Sequence, residues 1–186
     1  MTLTYNVNHL QVAPKGATPV YIDVDGAISA EPTISSDKED VLGDGQVWAT
    51  IYKSPTGEMT LTWLKTNFAV MAAINGGDVS SSGTGAAAID RYEQPSAYVA
   101  PSVIVSYWEP NVAPDRSPDE AGLRTTIPNA TFGVAKKASG QETVGEWSAD
   151  GSFRGSSTGP MIIYELLASE PVFTAGVMPT NVIAPV

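Results

Sequence analysis

The chain has 186 residues, 42% of them apolar and 16% charged, and its 20 acidic and 10 basic side chains give a net charge of −10. This length suits one domain whose core can fold without a structural metal, and the absence of cysteine excludes disulfide frameworks and thiolate metal sites. The acidic balance argues against binding of nucleic acid through its phosphates, and no apolar run approaches the length of a membrane span.

The composition favours a mainly β fold, because 17 glycines and 14 prolines interrupt the chain too often for long helices. We expect an antiparallel β-sandwich or barrel-like fold with one flanking α-helix. Residues 1–19 are expected to form an N-terminal arm, 20–169 the β domain, and 170–186 an extended C-terminal arm that carries three prolines.

The first half of the β domain begins with a strand at 20–24, which ends at the turn signal Asp25-Gly26. Residues 37–45 then predict an exposed acidic loop, which is either an ordinary turn or a contact loop for another subunit. Its candidate contact residues are Asp37, Glu39, Asp40 and Asp44.

The next two strand-like runs, 47–53 and 58–63, are joined by Ser-Pro-Thr-Gly and predict a β-hairpin. Alternation in the second run places Met59, Leu61 and Trp63 on one face and Glu58, Thr60 and Thr62 on the other.

One helix is predicted at about 66–75, capped by Thr66 or Asn67 and closed by Asn75-Gly76-Gly77. Residues 78–88 are small and polar and predict a mobile loop. Further strands are expected at 102–108, 124–134, 142–153 and 160–167, with a connector at 111–122.

Motifs for chemistry are weak, and we expect no catalytic residue, no cofactor and no metal. The segment 155–159 matches the G-x-S-x-G pattern, but the single histidine, His9, lies upstream instead of downstream. Asp23 and Asp25 lack the other ligands of a calcium loop. The four tryptophans, 48, 63, 108 and 147, are expected to pack in the core or an interface.

The order of segments resembles the major tail tube protein of long non-contractile-tailed phages. The resemblance rests on the acidic segment 36–45, on 51–63 leading into the helix that ends at Asn75-Gly76-Gly77, and on the later runs 124–132, 146–151 and 161–164. Type VI secretion tubes and contractile-tail tubes have similar folds, so the lineage stays open.

The resemblance implies a structural virion protein that forms stacked hexameric rings around a channel for DNA. It implies contacts between copies of the chain, with a tape measure protein and a tail terminator, and with viral DNA in transit without specific binding. The expected place is the virion tail, assembled in the host bacterial cytoplasm, with no membrane contact.

In such a tube the acidic residues of 37–45 would meet the next ring, and Glu58, Thr60 and Thr62 are candidates to face the channel. We expect an acidic or neutral channel wall, because basic rings would hold DNA by its phosphates. Two other functions remain open, namely a β-sandwich module that binds carbohydrate or a host surface, and a hydrolase using scattered carboxylates.

Overall fold

Thirteen β-strands and one α-helix make up the part of the chain that the computed structural model describes, which is Val7 and residues 9–44, 46–97, 99–110, 122–140, 143–155 and 159–167. The helix, α1, spans Phe68–Asn75, and a short 3₁₀ turn spans Gly85–Ala87. The strands are β1 His9–Pro14, β2 Ile22–Asp23, β3 Ala27–Ser35, β4 Lys38–Gly43, β5 Gln46–Tyr52, β6 Thr56–Trp63, β7 Asp78–Ser82, β8 Ile89–Glu93, β9 Ser102–Pro110, β10 Gly122–Phe132, β11 Lys136–Gly140, β12 Thr143–Arg154 and β13 Ile163–Leu167.

Nine of these strands form one antiparallel sheet in the order β2-β1-β9-β10-β12-β6-β3. The remaining two members pair at its sides, β11 with β12 and β13 with β10. A bulge between Ile127 and Ala130 interrupts the pairing of β10 with β9. The predicted mainly β, antiparallel architecture with one flanking helix is therefore confirmed, and the sheet does not close into a barrel within the described residues.

The sheet curls on itself, and its two halves share one hydrophobic core. β1 contacts β3 across that core although the two strands are far apart in the sheet order. Val12 and Val105 come from one half, Leu61 and Trp63 from the other, and all four are essentially inaccessible to solvent. The alternation predicted for residues 58–63 is confirmed, since Met59, Leu61 and Trp63 are buried and their sequence neighbours are not.

The helix covers part of this core and agrees with its prediction. The Asn67 side chain accepts hydrogen bonds from the backbone N–H groups of Ala69 and Val70, at 3.0 and 3.2 Å. Gly76 follows the helix with φ 72°, a left-handed conformation that glycine adopts without strain. The buried Asn75 accepts from the Ala135 N–H at 3.2 Å, which ties the end of the helix to the sheet.

The predicted hairpin between 47–53 and 58–63 is wrong. β5 pairs with β4, whereas β6 pairs with β3 on one side and β12 on the other. The reason is the tight turn at Asp44, whose φ of 51° lets the chain reverse and brings β5 directly back onto β4. Residues 38–52 thus form their own two-stranded ribbon, inserted between β3 and β6.

Two segments expected to be irregular are strands. Lys38–Gly43, in the predicted acidic loop, forms β4, and the predicted mobile loop at 78–88 contains β7, which pairs with β8. The expected N-terminal arm includes β1, a strand of the main sheet with Leu10 and Val12 in the core. The C-terminal arm at 170–186, the domain limit at 169 and most of the 111–122 connector lie outside the described residues.

Within the described part of the chain, no helix combines the length and the apolar character needed to cross a membrane.

Candidate assembly surfaces

The ribbon, defined as Lys38–Gly43 and Gln46–Tyr52, extends the ladder formed by β3 and β6. The last pair of that ladder is Ser35 with Thr56, and the first pair of the ribbon is Lys38 with Tyr52. Between these two pairs, the Lys53 N–H donates a hydrogen bond to the Asp37 carbonyl at 2.8 Å. Every side chain described in the ribbon is exposed. The ribbon therefore contributes nothing to the core of its own subunit.

The ribbon carries an unusual amount of exposed apolar surface. Trp48 is 72% exposed and Leu42 and Tyr52 are each 70% exposed, and Val41, Val47 and Ile51 are exposed as well. Large exposed apolar side chains concentrated on one pair of strands are typical of an interaction site. In the sequence these residues form only a pattern typical of β-strands. Alternation of apolar and polar residues does not distinguish a strand that packs on the core of its own chain from one that packs on another chain.

The four acidic candidates lie on or beside the ribbon, and two of them already have a partner within it or directly next to it. The Asp40 carboxylate accepts from the Thr50 hydroxyl at 2.6 Å, and Glu39 lies 3.8 Å from the Lys53 ammonium. Asp37 precedes β4 and Asp44 occupies the turn at the tip. The acidic groups therefore border the apolar side chains.

The second surface is the outward side of three neighbouring strands, and we call it the polar face. Glu58, Thr60 and Thr62 alternate along β6 and pair with residues of β12 and β3 in matching register. The face consists of Ser29, Glu31, Thr33, Glu58, Thr60, Thr62, Ser148, Asp150 and Ser152. All nine are acidic or hydroxyl side chains, and none is buried.

Hydrogen bonds between strands hold the side chains of the polar face. The Thr60 hydroxyl donates to Asp150 at 3.0 Å, and the hydroxyls of Ser29 and Thr62 lie 2.8 Å apart. An open groove of about 570 Å³ crosses the face beside Glu58 and Asp150. The structure thus gathers the three predicted channel-facing residues on one short-chained, acidic surface.

Most of the basic side chains lie outside the polar face and do not offset its negative charge. Arg124 is buried and forms an ion pair with Glu165 at 2.6 Å, and Lys65 pairs with Asp25 at 2.6 Å. Arg154 stands at the ribbon end of the polar face, where its strand position pairs with Thr56. At the opposite end, Lys136 pairs with Ser148. The middle of the face is free of cations within the described residues, and its two ends are not.

The candidates for chemistry have structural partners. His9 packs against Trp108 with ring centroids 6.1 Å apart, and Asp23 accepts from the Gln11 amide at 2.7 Å. No group of three or more His, Asp or Glu side chains with metal-binding geometry occurs among the described residues. The middle of the G-x-S-x-G segment, 156–158, lies outside them.

Three ionisable groups, Tyr21, Tyr107 and Glu109, have a raised pKa, and none of them belongs to the ribbon or the polar face. Burial raises the pKa of the Tyr107 hydroxyl to about 12 and raises the pKa of the Glu109 carboxyl. Tyr107 belongs to the hydrophobic core. The raised pKa of Tyr107 therefore reflects its burial in the core.

The tryptophans divide between core and surface. Trp63 and Trp108 are buried, and Trp147 stacks on Trp63 with ring centroids 6.3 Å apart. Trp48 alone of the four is largely exposed. Of the two expected environments, core packing is confirmed for Trp63 and Trp108, whereas Trp48 is not in the core and its place in an interface stays a prediction.

Comparisons with solved structures give a distant structural likeness. No protein-family description and no curated protein matches the chain. Among solved structures, the chain is similar to a subunit of the helically refined, C6-symmetric tail of an empty GTA (gene transfer agent) particle. The match has a TM-score of 0.41 and 8% identity, and covers 81% of this chain and 95% of that one. A likeness this distant does not assign a role.

Proposed function

We propose that the chain is a structural subunit of a phage-like tail, which assembles through copies of itself into stacked rings around a channel. Hexameric rings and a role in the tail tube are what the sequence resemblance implies. The observation that carries the proposal is the ribbon, because a subunit that exposes Leu42, Trp48 and Tyr52 on a projecting pair of strands needs a partner to cover them.

A ribbon that projects from its own subunit is suited to an open-ended assembly. Its apolar side chains find no cover on the body that carries them, so they need a surface on another chain to cover them. When the two contacting surfaces differ, the contact repeats without closing and generates a filament. This is the symmetry that a tube of stacked rings requires.

The polar face suits the wall of a channel through which DNA passes. Each basic residue that neutralises a phosphate adds affinity, and a stacked assembly would repeat that affinity along its length. Glu31, Glu58 and Asp150 are negatively charged, as the DNA phosphates are, and their neighbours are short hydroxyl side chains. We therefore place Glu58, Thr60 and Thr62 at the channel, with Arg154 and Lys136 confined to the ends of the wall.

The open edge of β3 offers a means of closing a ring. β3 pairs with β6 on one side, and its other side lies at the end of the described sheet. An unpaired strand edge is a template for another chain, and pairing around a ring removes it. We propose that β3 joins a strand of the neighbouring subunit within the ring.

The two alternative functions have weaker support. A carbohydrate-binding face would need several exposed aromatic rings in a row, whereas the ribbon exposes two, Trp48 and Tyr52, and Trp63 and Trp108 are buried. For a hydrolase, Glu58 and Asp150 are the carboxylates beside the groove, but Asp150 already accepts from Thr60. We propose that the chain has no turnover chemistry, which a hydrolytic activity abolished by substitution of either carboxylate would refute.

The proposed function is tested by the assembly state of the purified chain. Size-exclusion chromatography with light scattering, followed by negative-stain microscopy across a concentration series, should show rings or tubes whose fraction rises with concentration. A protein that stays monomeric at every concentration, with or without added salt, would overturn the proposal.

A further inference from the structure

The end of the sheet opposite the ribbon carries a surface that complements it. The eight residues of β6 run from Thr56, beside the ribbon, to Trp63, and seven steps of about 3.3 Å separate these ends by about 23 Å. Trp63 pairs with Trp147, which pairs in turn with Lys137. We call this surface the far end, and it comprises Leu64, Lys65, Lys136, Lys137 and Trp147.

We propose that the far end is the dock for the ribbon of a second copy of this chain, an inference that rests on the proposed function and names the surface that the ribbon covers. In the stacked assembly each subunit then inserts its ribbon into the far end of the next one. The two contacting surfaces lie on opposite ends of one body, which is the arrangement that propagates a filament.

Charge complementarity supports this pairing over contacts between two ribbons. The ribbon and its margins carry four carboxylates, Asp37, Glu39, Asp40 and Asp44, against two basic side chains, Lys38 and Lys53, so two ribbons brought together would each bring a net negative charge and repel. At the far end, Lys136 and Lys137 are exposed, and neither forms an ion pair within the described part of the chain. Asp25 already neutralises Lys65, so the two β11 lysines supply the free positive charge.

Apolar surface also matches between the two ends. Leu64 is 43% exposed at the far end. The adjacent Trp147 ring is only partly buried, and the Lys137 ammonium lies 5.6 Å from its centroid. The indole N–H of Trp147 donates to the Thr66 hydroxyl at 3.1 Å, which fixes the ring. A fixed aromatic ring with the Lys137 ammonium beside it is a suitable counterpart for Trp48 and Leu42, which share the ribbon with Glu39 and Asp40.

The first test is a charge swap between the two surfaces. Lys136→Glu with Lys137→Glu, and separately Asp40→Lys with Asp44→Lys, should each raise the critical concentration for assembly about tenfold, because exposed ion pairs are lost and like charges are apposed. The quadruple variant restores opposite charges across the contact and should return the critical concentration to within about threefold of the wild type.

The matched control, Lys15→Glu with Arg91→Glu, reverses the charge of two exposed basic side chains that lie outside both surfaces. This variant should assemble like the wild type. Circular dichroism and thermal unfolding check that every variant is folded. Wild-type assembly by the Lys136 and Lys137 variant, or a quadruple variant no better than either double variant, would overturn the dock while leaving the proposed function standing. A wild-type chain that never assembles would overturn both.

The second test uses the absence of native cysteine. A variant with Asp44→Cys and Lys137→Cys, assembled and treated with a short thiol-reactive cross-linker, should give a ladder of covalent multimers on denaturing gels. Each single-cysteine variant should give no species beyond the dimer. An assembled double variant that yields no ladder would contradict the dock, since the two positions would then lie too far apart.

Discussion

Replacing Trp48 with alanine is expected to weaken assembly while leaving the fold of the subunit intact. The side chain is 72% exposed and belongs to a ribbon that packs on no core residue of its own chain. Its removal therefore costs the free subunit little. In the proposed assembly the same ring is covered by another copy, so the loss appears only when subunits associate.

The expected magnitude follows from the area that becomes buried. An enclosed tryptophan buries up to about 250 Å², so covering the exposed fraction of Trp48 removes about 180 Å² from water. At about 25 cal/mol per Å², this gives an upper limit of about 4.5 kcal/mol. The surface that alanine retains and the cost of ordering the side chain reduce the loss to about 2 kcal/mol, which is about 30-fold in critical concentration.

The measurement is the critical concentration for assembly, obtained by sedimentation and light scattering, together with the thermal unfolding midpoint of the monomer. The matched control is Val99→Ala, because Val99 is 85% exposed and lies outside the ribbon. Val99→Ala should change neither quantity. Unchanged assembly of the Trp48 variant, or a loss of monomer stability as large as that of a core substitution, would refute the reasoning.

Three further predictions concern the core, alkaline stability and the polar face. A Cβ at Gly57 would overlap the buried Phe153 ring, so Gly57→Ala should lower the free energy of unfolding by about 1–3 kcal/mol in denaturant titrations. Gly133→Ala should not lower it, because a Cβ there would only make an ordinary contact with the Asp150 carbonyl at 3.5 Å. Because the pKa of Tyr107 is raised from 10 to about 12, the unfolded chain loses this proton first, and stability should fall between pH 10 and 12. Tyr107→Phe should flatten that fall, and an unchanged slope would contradict the assignment. Glu58→Lys with Asp150→Lys should make assembled particles retain DNA in co-sedimentation at low salt and release it at high salt, and equal retention by wild-type particles would contradict an acidic wall.

The sequence by itself determined the features that depend on neighbouring residues. The alternation of Met59, Leu61 and Trp63 with Glu58, Thr60 and Thr62 follows from the two-residue period of a strand, and the structure keeps it. The cap at Asn67 and the glycines after Asn75 are also local, so the helix lies where it was predicted. Local geometry decides such features before any tertiary contact forms.

The tertiary structure alone decided which strands pair and which strands are covered. Pairing of β6 with β12 joins residues that are about ninety positions apart, and no periodicity within either strand specifies that choice. Trp48 and Trp63 are the same residue type, both lie in strands, and one is exposed while the other is buried. Burial depends on what the rest of the chain places against a strand. For that reason the sequence indicated the acidic residues of the ribbon, and only the fold exposed the apolar side chains beside them.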